Sequence, residues 1–110
     1  STPLFLFNVT IQNHGSYTVE DYPAEVQVAD EPGVYPKAEQ YLTLANKTDE
    51  AFKKLIDYFS SQTEPTILVM FGDHQPSVEQ EFLDKAYGVT PWHSIWISLR
   101  CRSSFGPITR

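Results

Sequence analysis

Cysteine, basic residues and long apolar runs are scarce in this sequence. The single cysteine, Cys101, excludes an internal disulfide and a zinc site built from several thiolates. No apolar run approaches the roughly 20 residues that a membrane helix needs, so the sequence predicts no membrane segment and no signal peptide. A formal charge of −6 argues against a nucleic-acid partner, because proteins that bind nucleic acids present a basic face.

The length and the overall composition bound the fold. A chain of 110 residues is long enough for one domain with one hydrophobic core. Its 41% hydrophobic and 20% charged residues are typical of a globular protein rather than of a disordered one. Because strand-like apolar residues begin almost at the first position, we expect the chain to be part of a longer domain.

Two short apolar runs and one long periodic segment indicate an α/β fold. Leu4–Thr10 and Thr66–Phe71 are continuous apolar runs, as expected of strands that are buried on both faces. Between them, Gln12–Pro36 contains several prolines and no periodicity, which predicts a long loop. From Ala38 to about Ser60, apolar residues recur at steps of three, four and seven, which predicts a helix. The members of this apolar stripe, expected to pack in the core, are Tyr41, Leu42, Ala45, Phe52, Leu55, Ile56 and Phe59.

A turn and a second helix follow the second predicted strand. Ser77, with Gln80 three residues later, matches a capping box and predicts a short helix that ends at Gly88. A helix between two buried strands predicts a right-handed crossover and a parallel strand pair. The expected fold is therefore α/β, a mostly parallel sheet flanked by helices, with functional residues at the carboxyl ends of its strands.

The residues that follow the two predicted strands are the candidates for chemistry. Asp73 and His74 follow the second strand directly, and a carboxylate and a neutral imidazole on one turn can bind the same cation. His14 follows the first strand, where it can bind an anionic substrate oxygen or move a proton. Each feature also has a plainer interpretation, as a polar turn and as a solvent-exposed loop histidine. Because parallel strands end at one edge of a sheet, we expect both histidines at the same rim.

Three segments resemble, in order, the C-terminal half of lipoteichoic acid synthase-like proteins of the sulfatase and alkaline phosphatase superfamily. The resemblance covers roughly residues 3–88, and its most specific element is the turn formed by Gly72, Asp73 and His74. It implies that residues 1–88 form part of an alkaline-phosphatase-like catalytic domain. The three segments are Phe5–Gly15, Tyr41–Phe52 and Val69–Pro76.

The resemblance implies a role for each candidate residue. In that family the Asp and His of this turn help to coordinate a divalent ion, typically manganese, which implies Asp73 and His74 as metal ligands. The family's equivalent of His14 contacts the phosphoglycerol substrate. The implied reaction moves glycerol phosphate from phosphatidylglycerol to a glycerol-phosphate polymer at the extracellular face of the bacterial membrane, through a covalent intermediate on a threonine.

Two parts of the family's site have no equivalent in this chain. The nucleophilic threonine and a metal-binding glutamate precede the family's equivalent of Leu4, so no catalytic residue is assigned here. The N-terminal membrane helices that anchor family members are likewise not among these 110 residues. We therefore expect the isolated chain to transfer no phosphoglycerol. Because the turn does not specify the ester, a sulfatase or phosphodiesterase of the same superfamily is an alternative, and a non-catalytic truncated chain is another.

Residues 89–110 differ in composition from the rest of the chain. They contain three arginines and no acid, whereas residues 1–88 contain five lysines and fourteen acids. Family members end in a strand close to Val-Pro-Phe-Phe-Ile-Trp-Ala-Asn-Tyr. Codons permitted for residues 100–110 can spell these nine residues when each triplet is read from the third base. This pattern predicts a frameshifted tail that has no native fold and stays out of the sheet; a divergent final strand is the alternative.

Overall fold

Two helices and two short strands make up the regular structure of the residues that the structure describes. The computed structural model describes residues 2–18 and 22–88 and the backbone of 104–107. In these parts of the chain, neither helix combines the length and the apolar character needed to cross a membrane. The elements, in chain order, are helix α1 (Pro36–Ser60), strand β1 (Ile67–Met70), helix α2 (Gln80–Tyr87) and strand β2 (Ser104–Pro107).

Helix α1 confirms the predicted long helix, and a distant carboxylate caps its N-terminus. Pro36 occupies the first turn, where its missing amide hydrogen costs no helical hydrogen bond. The amides of Lys37 and Ala38 donate to Oε1 and Oε2 of Glu79, each at 2.9 Å. Amides in the first turn have no partner within a helix. Glu79 therefore supplies this partner from 41 residues beyond Ala38.

The polar face of α1 organises the preceding loop through Glu39. The side chain of Glu39 is buried, with 3% of its surface exposed. Its Oε1 accepts hydrogen bonds from the amides of Val28 at 3.0 Å and Gly33 at 2.8 Å. Because a buried carboxylate is costly without hydrogen-bond partners, these two amides are what permits Glu39 at this position. The loop is thus attached to the helix by polar contacts.

Thr43, one turn further along α1, attaches an earlier part of the same loop. Its hydroxyl accepts from the amides of Glu25 at 3.0 Å and Val26 at 2.9 Å, and donates to the carbonyl of Glu39 at 2.9 Å. The side chain is fully buried; its bond to Glu39 is buried, and its bonds to Glu25 and Val26 are partly buried. The side-chain amide of Gln40 also donates to the backbone carbonyl of Tyr22 at 2.9 Å. The center of the packed region is therefore polar.

The apolar stripe of α1 is less buried than the sequence predicts. Leu55 is 42% exposed, and Phe52, Ile56 and Phe59 are half-buried. The expectation that this stripe packs in a closed core is therefore wrong for the described residues. Amphipathic periodicity identifies the apolar face of a helix, but it does not reveal whether another element packs against that face.

The two strands form an antiparallel ladder. Ile67 pairs with Pro107, and Met70 pairs with Ser104. The predicted strand at Leu4–Thr10 and its parallel pairing are not found: residues 2–11 contain no strand, and the side chains of residues 4–7 are 64–89% exposed. Backbone groups of a strand need a neighbouring strand, and the partner of β1 is β2. Within the described residues, the parallel sheet is thus not formed.

Strand β2 belongs to the compositionally different tail. The prediction that this tail stays out of the sheet is wrong for residues 104–107, whose backbone pairs with β1. Residues 89–103 and 108–110 lie outside the described residues. The frameshift interpretation itself stays a prediction.

Helix α2 ends as predicted but begins differently. Gly88 has φ 61°, in the left-handed region, and its amide donates to the carbonyl of Asp84 at 2.9 Å. Ser77 does not cap the helix: the capping position is Glu79, and no side chain caps α2. The prediction of a capping box is therefore wrong: the helix begins later than predicted, and the carboxylate of Glu79 caps α1 instead.

Contacts on α2 also attach it to the start of α1 and to the loop before it. The aromatic rings of Phe82 and Tyr35 lie 5.8 Å apart. Nζ of Lys85 lies 2.7 Å from Oε2 of Glu31. Together with the Glu79 cap, these contacts fix the segment that follows β1 against α1.

Candidate functional site

Asp73 and His74 occupy the turn that directly follows β1. Nδ1 of His74 lies 2.8 Å from the backbone carbonyl oxygen of Gln75. A carbonyl oxygen can only accept, so Nδ1 carries the hydrogen, and in the neutral imidazole Nε2 has a free lone pair. This Nε2 lies 3.6 Å from Oδ1 of Asp73. An imidazole nitrogen and a carboxylate oxygen therefore lie close enough to bind the same metal ion.

A second contact holds this turn against α2. The hydroxyl of Tyr87 donates to Oε1 of Gln75 at 2.9 Å. Gln75 thus orients His74 through its carbonyl while its own side chain is fixed by the end of α2. Indirect support of this kind is what orients histidine ligands in metal sites. The sequence analysis did not identify Tyr87, since no local signal connects it to Gln75.

His14 lies next to this turn. The rings of His14 and His74 are 6.3 Å apart between centroids and nearly perpendicular, at 85°. The prediction that both histidines reach the same place is therefore confirmed in its geometry. The reason given for that prediction is wrong, because the parallel strand pair that would bring the two histidines together is not formed in the described residues.

Two side chains missed by the sequence analysis fix the loop that carries His14. The hydroxyl of Tyr17 donates to the backbone carbonyl of Asn13 at 2.6 Å, which closes the loop on itself. The hydroxyl of Thr48 donates to Oδ1 of Asn13 at 3.1 Å, which ties the loop to α1. Tyr17 has φ 51°, a left-handed conformation that costs a non-glycine residue on the order of 1–3 kcal/mol. These contacts hold the residues on both sides of His14.

The environment of Tyr17 is aromatic and acidic. Its ring is 6% exposed and packs edge-on against Tyr41, with centroids 5.5 Å apart. Burial, the neighbouring Tyr41 hydroxyl and the charge of Asp73 all raise the pKa of Tyr17. The phenol therefore stays protonated and keeps donating to Asn13 throughout the neutral range.

An open cavity of about 530 Å³ lies between the His14 loop and α1. His14 lines it, whereas Asp73 and His74 do not. His14 thus borders both the Asp–His turn and the cavity. The full lining consists of Gln12, His14, Gly15, Ser16, Tyr17, Tyr22, Gln40, Leu44 and Lys47.

The donor atoms at the turn fit part of a metal site. A carboxylate oxygen and an imidazole nitrogen suit manganese, iron or zinc. Both side chains are open to ligands, since Asp73 is 82% and His74 is 61% exposed. In the parts of the chain with described side chains, no group of three or more potential ligands forms. Asp73 and His74 can therefore hold a divalent ion only together with further ligands.

The Asp73–His74 turn follows the carboxyl end of β1, where α/β proteins place their functional residues, and it lies beside a second histidine. The sequence model of the Sulfatase family matches residues 1–99. The chain therefore belongs to the sulfatase family, whose members have an alkaline-phosphatase-like α/β fold and depend on metal ions.

The chain spans a small part of the length of one curated relative that it matches. The chain is 30% identical over 95 residues to the "Putative cyclic beta-1,2-glucan modification protein" of Rhizobium meliloti (strain 1021). The match covers 80% of this chain but 15% of the relative. No solved structure shows a significant match.

Proposed function

We propose that this chain supplies part of the metal and substrate site of an extracytoplasmic, metal-dependent phosphoglycerol transferase. The observation that carries the proposal is the convergence of Asp73, His74 and His14 in a chain of the sulfatase family. Two of these residues have the chemistry of metal ligands, and the ring of the third, His14, lies 6.3 Å from that of His74.

The chain's own residues would hold and orient the reactants. Asp73 Oδ1 and His74 Nε2 would bind a divalent ion, which the resemblance indicates is manganese, and Gln75 keeps the required histidine tautomer. The ion, when bound, stabilises charge on the transferred phosphoryl group. His14 would donate a hydrogen bond to an oxygen of the phosphoglycerol unit, because its ring lies beside that of His74.

The donor and the acceptor follow from two different sources. The resemblance to lipoteichoic acid synthase-like proteins supports phosphatidylglycerol as the donor and a glycerol-phosphate polymer as the acceptor, at the extracellular face of the membrane. The name of the Rhizobium relative supports a glucan as the acceptor. Both acceptors present a hydroxyl group to the transferred phosphoglycerol.

The test uses the complete reading frame that contains this chain. Purified protein with manganese and labelled phosphatidylglycerol should release diacylglycerol and place labelled glycerol phosphate on the acceptor. Asp73→Ala and His74→Ala should abolish transfer, because each removes a metal ligand. Asp49→Ala is the matched control, since Asp49 is an exposed carboxylate on α1.

The same assay separates the other members of the superfamily. Cleavage of an aryl sulfate without transfer from phosphatidylglycerol would identify a sulfatase. Release of glycerol phosphate to water, with none on the acceptor, would identify a phosphodiesterase. No cleavage of any ester by a folded protein would mean a non-catalytic chain, and each of these outcomes rejects the transferase.

A further inference from the structure

The cavity between the His14 loop and α1 has its own chemistry. Asp73 and His74 do not line it, so a group bound there would not occupy the proposed metal position. Its volume of about 530 Å³ lies within the range of about 300–1,000 Å³ that is usual for sites of small ligands. The cavity is therefore large enough for a molecule of its own, in contact with His14.

The single lysine of the cavity is already neutralised. Nζ of Lys47 lies 2.9 Å from Oε1 and 3.0 Å from Oε2 of Glu25. The hydrogen bond and the charge of Glu25 raise the pKa of Lys47, although partial burial acts in the opposite direction. A phosphate that enters the cavity would meet an ammonium group whose charge is balanced, in a chain with a formal charge of −6. The cavity thus lacks the net positive charge that favours an anion.

The other lining groups suit hydroxyls. Gln12 contributes a side-chain amide and Ser16 a hydroxyl, and each of these groups can both donate and accept hydrogen bonds. Gln40 also lines the cavity, but its side-chain nitrogen already donates to the carbonyl of Tyr22. The side chain of Tyr22 adds an aromatic surface with a polar end. The Lys47–Glu25 pair offers a donor beside an acceptor, which matches a hydroxyl group better than an anion.

We infer that this cavity binds a neutral, hydroxyl-rich group, a sugar or a glycerol unit of the acceptor, and not the phosphate. The inference rests on the proposed function in identifying the ligand as the acceptor. It assigns the two parts of the reaction to different places: the Asp73–His74 turn would bind the phosphoryl group, and the cavity would bind the acceptor. His14 borders both, so an acceptor hydroxyl and the transferred group would meet at this residue.

The test measures binding to the full 110-residue chain by NMR, with EDTA present so that metal binding plays no part. The probes are sophorose, which is a β-1,2-linked glucose disaccharide, glycerol, and inorganic phosphate. Sophorose or glycerol should shift the amide signals of Tyr22, Gln40 and Lys47 in a saturable manner, and phosphate should not. A response to sophorose alone indicates a glucan acceptor, and a response to glycerol alone indicates a glycerol polymer. No response to either neutral probe, or an equal response to phosphate, would overturn the inference.

Two cavity variants and one control test whether the response arises in the cavity. Leu44→Trp fills the lined space and should weaken binding at least about tenfold. Leu55→Trp adds the same bulk to an exposed position of α1 and should leave binding unchanged. Tyr22→Ala removes the aromatic surface and should also weaken binding, which keeps the test valid if Leu44→Trp fails to fold. Unchanged binding in a folded Leu44→Trp or Tyr22→Ala variant would sink the assignment.

The result is separable from that of the transferase assay. His74→Ala should leave sugar binding intact, because His74 does not line the cavity. Sugar binding without phosphoglycerol transfer would reject the proposed reaction and retain the cavity as a carbohydrate site. Transfer without sugar binding would retain the reaction and reject the cavity as the acceptor site.

Discussion

The carboxylate of Glu79 lies at the N-terminus of α1, with Oε2 2.9 Å from the amide nitrogen of Ala38. Glu79 follows the turn that carries Asp73 and His74, so this contact attaches the segment after that turn to α1. The same helix holds the His14 loop through Thr48. Helix α1 is therefore the common support for both halves of the candidate site.

Replacing Glu79 by alanine should destabilise the fold. The variant leaves the amides of Lys37 and Ala38 without their carboxylate partner, and loss of a helix cap typically costs about 1 kcal/mol. The free energy of unfolding is measured by urea denaturation. Glu50→Ala is the control, since it removes an exposed glutamate from the interior of α1, where Glu and Ala have similar helix propensity. Equal effects of the two substitutions would contradict the capping role.

The stabilisation by Glu79 should depend on pH. Burial raises the pKa of Glu79, but hydrogen bonds from backbone amides and the charge of Lys37 outweigh it and hold the pKa below the ordinary 4.5. Because the folded pKa is the lower one, the stabilisation is complete above pH 4.5 and is lost as the pH falls through the folded pKa. The difference in unfolding free energy between the wild type and Glu79→Gln should therefore shrink in acid. A difference that grows as the pH falls would show that folding does not lower the pKa of Glu79.

The buried hydroxyl of Thr43 should be needed for the loop to stay attached. Thr43→Val keeps the shape of the side chain but leaves the amides of Glu25 and Val26 without an acceptor. An unsatisfied buried polar group costs about 1–3 kcal/mol, so the variant should unfold at a clearly lower urea concentration. Thr63→Val is the matched control, because Thr63 is exposed in the turn after α1. Faster hydrogen exchange of the Glu25 and Val26 amides in Thr43→Val would show that the destabilisation arises at these two hydrogen bonds.

The elements with strong local signals are the ones that could be predicted from the sequence. Apolar steps of three and four identified α1, an apolar run identified β1, and Gly88 identified the end of α2. The Asp73–His74 turn could be located because it directly follows a strand. Each of these features depends on residues within a few positions of one another.

The features that were missed depend on distant partners. Leu4–Thr10 has the composition of a strand, but a ladder also needs a neighbour, which composition does not reveal. Glu79 acts across 41 residues, and no local pattern connects it to α1. Glu39 did carry a signal: an acid in the first turn of a helix, preceded by a long loop, often accepts backbone amides.

Manganese should bind weakly and at the Asp73–His74 turn. Under the proposed function the ion has two ligands from the described residues, the side chains of Asp73 and His74, and a tight site requires more. Paramagnetic broadening of amide signals should appear first around Asp73 and disappear in Asp73→Asn. Asp49→Asn removes an equal charge from an exposed position and should leave the broadening in place. Tight, stoichiometric binding in calorimetry would mean that the ligand set is wrongly assigned.

Deleting residues 89–110 should leave the stability of the remaining chain nearly unchanged. The described contact of this tail with the rest is a ladder of four residue pairs, and an isolated two-stranded ladder is marginal in water. We therefore expect the unfolding free energy to change by less than roughly 1 kcal/mol. Gly106→Pro separates the ladder from other effects of the tail, since it removes an amide opposite Leu68 and keeps every other residue. If both changes unfold the protein, β2 is a selected strand, and the divergent-strand alternative replaces the frameshift.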